Sequence, residues 1–118
     1  MSHALATQYI DAINNEQADA FATLFAADAI VEDNGRTFTG IDAIRHWAEQ
    51  EIFAVHVRLH PVNTSARNGA TVVLTLVEGD FDKTGLPDPL YIDQAITESN
   101  GKITRLACTL ATDAPAPV

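Results

Sequence analysis

The sequence predicts one α+β domain, with helices gathered at the front of the chain and antiparallel strands behind them. Three observations predict it. Apolar residues recur at helical spacing as far as Ala48, then alternate with a period of two from Phe53 onward. Asn-Gly pairs at 34–35, 68–69 and 100–101 supply hairpin turns between strand-like runs. Helices at one end and hairpins at the other pack as a helical layer on one face of a curved sheet, with a cone-shaped hollow between them.

Each element follows from its pattern. From about His3 to Asn15 the apolar stripe is Leu5, Tyr9, Ala12 and Ile13, closed by Asn14-Asn15. A short second helix carries Ala18, Phe21, Leu24 and Phe25 on one face. The run Ala29 to Glu32 turns to strand character, and Arg36-Thr37-Phe38 returns beside it after Asn34-Gly35. Thr39 reads as the cap of a third helix, with Asp42 three places on and Ile41, Ile44, Trp47 and Ala48 as its stripe, ending near Glu51. From Phe53, Val55, Val57 and Leu59 alternate with His56, Arg58 and His60 as a half-buried strand, with Pro61 at a bulge or edge. Thr71 to Val77 is a β-branched strand. Gly79 to Pro89 is a loop, Leu90 to Thr97 a strand, and Ile103 to Leu110 the last strand. Residues 1–111 are expected to form the domain and 112–118 a disordered tail.

Composition narrows the function. The 118 residues suit one domain, and 7 basic against 16 acidic residues give a formal charge of −9. That balance disfavours nucleic acids and anionic membranes as partners. No apolar run is long enough to span a bilayer, and the N-terminus lacks the basic and apolar regions of a signal peptide, so a cytoplasmic location is expected. The single cysteine, Cys108, has no intrachain disulfide partner and reads as a small buried hydrophobe. His56 and His60, four apart on a strand, would lie roughly 13 Å apart, too far to share a metal ion. No cofactor motif is present.

Three residues stand out as candidates for chemistry. Asp93 interrupts the strand Leu90 to Ile96, and a carboxylate there must reach water, find partners or stay protonated. Alternation groups it with Tyr91, Ala95 and Thr97, and groups Gln94 with Ile92 and Ile96. Neither face is cleanly polar. Asp33 ends the first strand before a turn, where aspartate is also a common local motif. Glu32 points the opposite way, and alternation leaves open which of the two faces inward. Tyr9 lies on the core stripe of the first helix, where packing alone is the commoner role. Together in one apolar pocket they would supply a base and two donors, equipment for moving a proton beside a carbonyl.

The element order, with the segments Gln8-Tyr9-Ile10-Asp11-Ala12-Ile13, Leu24 to Asp33 and Gly40-Ile41-Asp42-Ala43-Ile44-Arg45, resembles the NTF2-like superfamily from Leu5 to Leu110. Within it the chain is most similar to the ketosteroid isomerases and the SnoaL-like proteins. The resemblance implies a cone of three N-terminal helices on a curved mixed or antiparallel sheet. It maps Asp33 onto the proton-shuttling base, and Tyr9 and Asp93 onto the donors of an oxyanion hole, the late acid being kept neutral by its apolar site. It also points to Phe25, Phe38, Trp47, Ala95 and Leu110 as substrate lining. The implied activity is cofactor-independent isomerisation of a small apolar, steroid-like ketone through a dienolate. A SnoaL-like aldol cyclase and a non-catalytic ligand-binding or dimerisation module are the alternatives. A homodimer through the outer sheet face is expected, because a sheet covered on one side only leaves apolar area in water.

Overall fold

The computed structural model describes residues 4–111, so His3 and the expected tail at 112–118 lie outside the described residues. Helix α1 (Ala4–Asn14) and helix α2 (Ala18–Thr23) lead into strands β1 (Phe25–Asp33) and β2 (Arg36–Thr39). Helix α3 (Ile41–Ala48) continues into a π-helical turn, Glu49–Phe53. Strands β3 (Arg58–Arg67), β4 (Ala70–Glu78), β5 (Tyr91–Ser99) and β6 (Lys102–Leu110) complete the chain.

The strands form one six-stranded sheet in the order β2-β1-β6-β5-β4-β3. β1 and β6 run parallel, and the other neighbours are antiparallel, so the sheet is mixed. The parallel pairing places the first strand of the chain against the last, and brings Asp33 opposite Cys108. The register slips between Phe25 and Ile30, and again between Pro61 and Asn63 where a bulge was expected. Such slips bend strands and help the sheet curl around the helices. The result is the NTF2-like α+β cone.

The core lies between the helices and the concave face. Tyr9, Ile13, Phe21, Val31, Ile44, Ile103 and Leu106 are all fully buried. Phe21 centres an aromatic cluster, with ring centroids 5.7 Å from Tyr9, 5.0 Å from Phe25 and 5.6 Å from Phe53. Such pairs contribute beyond their buried area. Asn14 extends this docking. Its amide donates to the Leu59 carbonyl and accepts from the Leu59 N–H, both at 2.8 Å, so α1 is tied to the start of β3 as one strand is to another.

Three local expectations are corrected. Leu24 and Phe25 do not belong to the second helix, because β1 begins at Phe25. Helix α3 is capped by Gly40 without a side-chain bond, since Thr39 is held in the β1–β2 hairpin opposite Ile30. Phe53 and Val55 precede β3: the chain closes a wide turn there, with Ala54 N–H bonding to the Glu49 carbonyl and Val57 N–H to the Ile52 carbonyl. The apolar alternation at 53–59 therefore spans a turn and a strand start.

Candidate functional site

The first part of the site grows from the β1–β2 hairpin. Asn34 and Gly35 both adopt positive φ (49° and 92°), the geometry that Asn-Gly accepts at little cost. This tight turn brings Arg36 back onto Asp33. Asp33 Oδ2 accepts from the Arg36 guanidinium at 2.6 Å and from the Trp47 indole N–H at 3.1 Å. Among the described residues nothing bonds to Oδ1. Arg36 also grips both oxygens of Glu51, at 2.6 and 2.8 Å. Those Glu51 bonds, with the Asp33 charge, hold the guanidinium firmly protonated against partial burial. Its planar fork suits this bridging role. Phe38 supports the cluster from behind, with its ring 5.9 Å from that of Trp47 and the guanidinium 5.5 Å above it.

The second part is a neutral network at the inner end. Tyr9 Oη donates to Gln94 Oε1 at 2.8 Å, and the Cys108 thiol donates to the same oxygen at 3.3 Å. Thr75 fixes which way the amide points. Its one hydroxyl hydrogen goes to the Ile92 carbonyl at 2.8 Å, so Thr75 can only accept from Gln94 Nε2, at 3.5 Å. Oε1 must then face Tyr9 and Cys108. Burial pushes the Tyr9 phenol well above its ordinary value, with Cys108 and the Asp33 charge adding to the shift. Burial likewise pushes the Cys108 thiol up, helped by the Asp33 charge and opposed by the neighbouring Tyr9 hydroxyl. Both therefore stay protonated at neutral pH.

One cavity of about 440 Å³ joins the two parts. Asp33, Arg36 and Glu51 line one side, and Tyr9, Gln94 and Cys108 another. Ile13, Val57, Leu59 and Ile92 are among the apolar walls between them, and the loop after β4 contributes Asp80, Phe81 and Leu86. A cavity that sets an ionisable group beside apolar walls is a recurrent feature of catalytic sites.

Of the residues singled out in the sequence, Tyr9, Asp33, Trp47 and Leu110 line this cavity. Asp93 does not. With Ala95 it lies on the outer face of the sheet, in a separate hollow of about 310 Å³ that also takes in Arg67 and Arg105. The expectation of an oxyanion hole built from Tyr9 and Asp93 is corrected accordingly. Alternation sends one of each neighbouring pair outward, and a carboxylate is far costlier to bury than an amide with partners. Gln94, 4% exposed, is the polar residue of β5 that faces in. Phe25 packs in the core against Phe21, and Phe38 lies behind Trp47, so neither lines the cavity. Gln94, Arg36, Glu51 and Thr75 were not anticipated. The signal for Gln94 was present: it shares a strand face with Ile92 and Ile96.

Among the described residues no three His, Cys, Asp or Glu side chains cluster as a metal site, and no helix is long and apolar enough to cross a membrane. Comparison with known proteins places the chain. The SnoaL-like domain model matches residues 6–106. A provisionally named polyketide cyclase from Sinorhizobium meliloti is similar at 27% identity and a TM-score of 0.79, over 90% of this chain and 94% of that one. A protein with a ketosteroid isomerase-like fold from Catenulispora acidiphila, solved in complex with trimethylamine, has 20% identity and a TM-score of 0.76, over 95% and 88%. An NTF2-like protein of unknown function from Cytophaga hutchinsonii has 10% identity and a TM-score of 0.75, over 94% and 90%. No curated protein matches in sequence.

Proposed function

We propose that this chain, which belongs to the SnoaL-like domain family, is a proton-transfer catalyst that enolises a small apolar ketone. Asp33 Oδ1 removes the proton α to the carbonyl. The substrate oxygen, which gains charge as the C–H bond breaks, lies toward the Gln94 N–H that Thr75 does not take. Preorganised dipoles in a water-poor cavity stabilise such charge better than water does. Asp33 then returns the proton to a different carbon, giving the conjugated isomer with no net change of atoms. One observation carries this reading: Asp33 lines a cavity with apolar walls and has both of its donors on Oδ2, and among the described residues Oδ1 has no bond.

A second fate of the same enolate is intramolecular aldol closure, in which the α-carbon attacks another carbonyl of the substrate. The position of Asp93 outside the cavity favours it, because the inner end then offers a neutral amide in place of an acid. The likeness to the Sinorhizobium protein points the same way. The test is a pair of assays, one following conversion of a β,γ-unsaturated ketone to its conjugated isomer, the other ring closure of an acyclic polyketone. Either should be accelerated by the wild-type chain and not by Asp33→Asn. If both substrates react at the mutant's rate, the reading fails.

We further propose a homodimer through the outer face of the sheet, where Val72, Ala95 and Ala107 line the outer hollow. Light scattering at micromolar concentration should give twice the chain mass, and a monomer would refute the dimer.

A further inference from the structure

The network at the inner end of the cavity has a direction, and that direction selects a ligand. Thr75 spends its hydrogen on the Ile92 carbonyl. Gln94 therefore spends one N–H on Thr75 and its carbonyl oxygen on Tyr9 and Cys108. Tyr9 spends its hydrogen on Gln94. Among the described residues, the hydrogen-bonding capacity left over is one N–H of Gln94 and the lone pairs of Tyr9 Oη. Both residues line the cavity, and they are 4% and 1% exposed.

A ketone oxygen only accepts, so it can use the Gln94 N–H and leaves Tyr9 Oη facing a lone pair. A hydroxyl both donates and accepts and can satisfy both. An ether can only accept. A buried polar group left without its partner forfeits its hydration, which makes such sites discriminating.

We propose that Tyr9 and Gln94 form a hydroxyl-reading subsite, and that the ligand is an apolar ring compound carrying a hydroxyl or enol at its inner end. This deepens the proposed function, and rests on it only in taking the cavity as the ligand site. An enol bound better than its ketone would lower the free energy of the enolised form within the cavity.

The experiment is calorimetric titration at neutral pH with β-naphthol, a stable enol mimic, and with its methyl ether. Wild-type protein should prefer the naphthol by about tenfold, the scale of one hydrogen bond. Tyr9→Phe and the near-isosteric Gln94→Met should each erase most of that preference. A readout free of any variant is the side-chain amide resonance of Gln94, which should move with naphthol and not with the ether. Equal binding of the two probes by wild-type protein would overturn the proposal. So would a preference that survives Tyr9→Phe, or no binding of either probe. Because no turnover is needed, a naphthol preference kept alongside inactive proton-transfer assays would separate this inference from the failure of the catalytic reading.

Discussion

The Trp47 indole N–H donates to Asp33 Oδ2, the oxygen that Arg36 also holds, across a 3.1 Å contact that spans the hairpin and α3. Two donors converging on one oxygen fix the carboxylate plane and keep Oδ1 available. Aiming of this kind commonly matters as much as the reactive group itself.

Replacing Trp47 by Phe keeps a ring against Phe38 and deletes the N–H. Proton transfer is expected to fall about tenfold, the loss of one hydrogen bond to a charged group, with the change in kcat rather than KM. An unchanged kcat in a folded Trp47→Phe protein would remove the indole from the account.

Gly79 sits where the loop after β4 leaves the sheet. A Cβ there would lie 2.9 Å from the Phe81 ring and 3.1 Å from the Val55 carbonyl oxygen. Gly79→Ala should therefore push Phe81 from its place in the cavity wall and weaken binding of apolar ligands, with little change in kcat. Titration of β-naphthol against this variant checks it, and wild-type affinity would contradict it.

Glu16 is held below the ordinary carboxylate value, first by the His56 side chain at 2.9 Å and then by Arg58. A depressed folded value contributes stability that is present above the unfolded carboxyl value, about 4.3, and is lost as pH falls through the folded one. Glu16→Gln should thus lower Tm at pH 7, and the gap to wild type should close below about pH 4. The pair is exposed, so the shift should be small and reduced by salt. A gap that persists in acid would contradict this assignment.

Burial and the Asp33 charge keep the Cys108 thiol protonated, above its ordinary value. A raised folded value of this kind contributes stability below the unfolded thiol value, about 8.5, which is lost as pH climbs past it. Cys108 should resist thiol reagents at pH 8 in the native protein and react at once in denaturant. Fast native labelling would show that the inner end of the cavity is open.

Much of this was legible in the sequence. Three Asn-Gly pairs and the change of period located the helices, hairpins and strands, because turn chemistry and face alternation act locally. Tyr9 and Asp33 were legible for the same reason, one on a helix stripe and the other at a strand end. The inner acid was misplaced because Asp93 and Gln94 are neighbours on opposite faces, and only the three-dimensional packing of β5 decides which face is covered. The π-helical turn at Glu49–Phe53 has no signature in composition, yet it sets Glu51 against Arg36. Thr75 reads as one more β-branched strand residue until Ile92 and Gln94 are brought to it across the β4–β5 pair.

The most direct test of Asp33 as a base is proton exchange without any natural substrate. Hydrogens α to the carbonyl of β-tetralone can be followed by NMR as they are replaced in heavy water. Wild-type protein should give exchange well above the buffer rate, and Asp33→Asn none above it. Equal exchange by the two proteins would contradict Asp33 as the base.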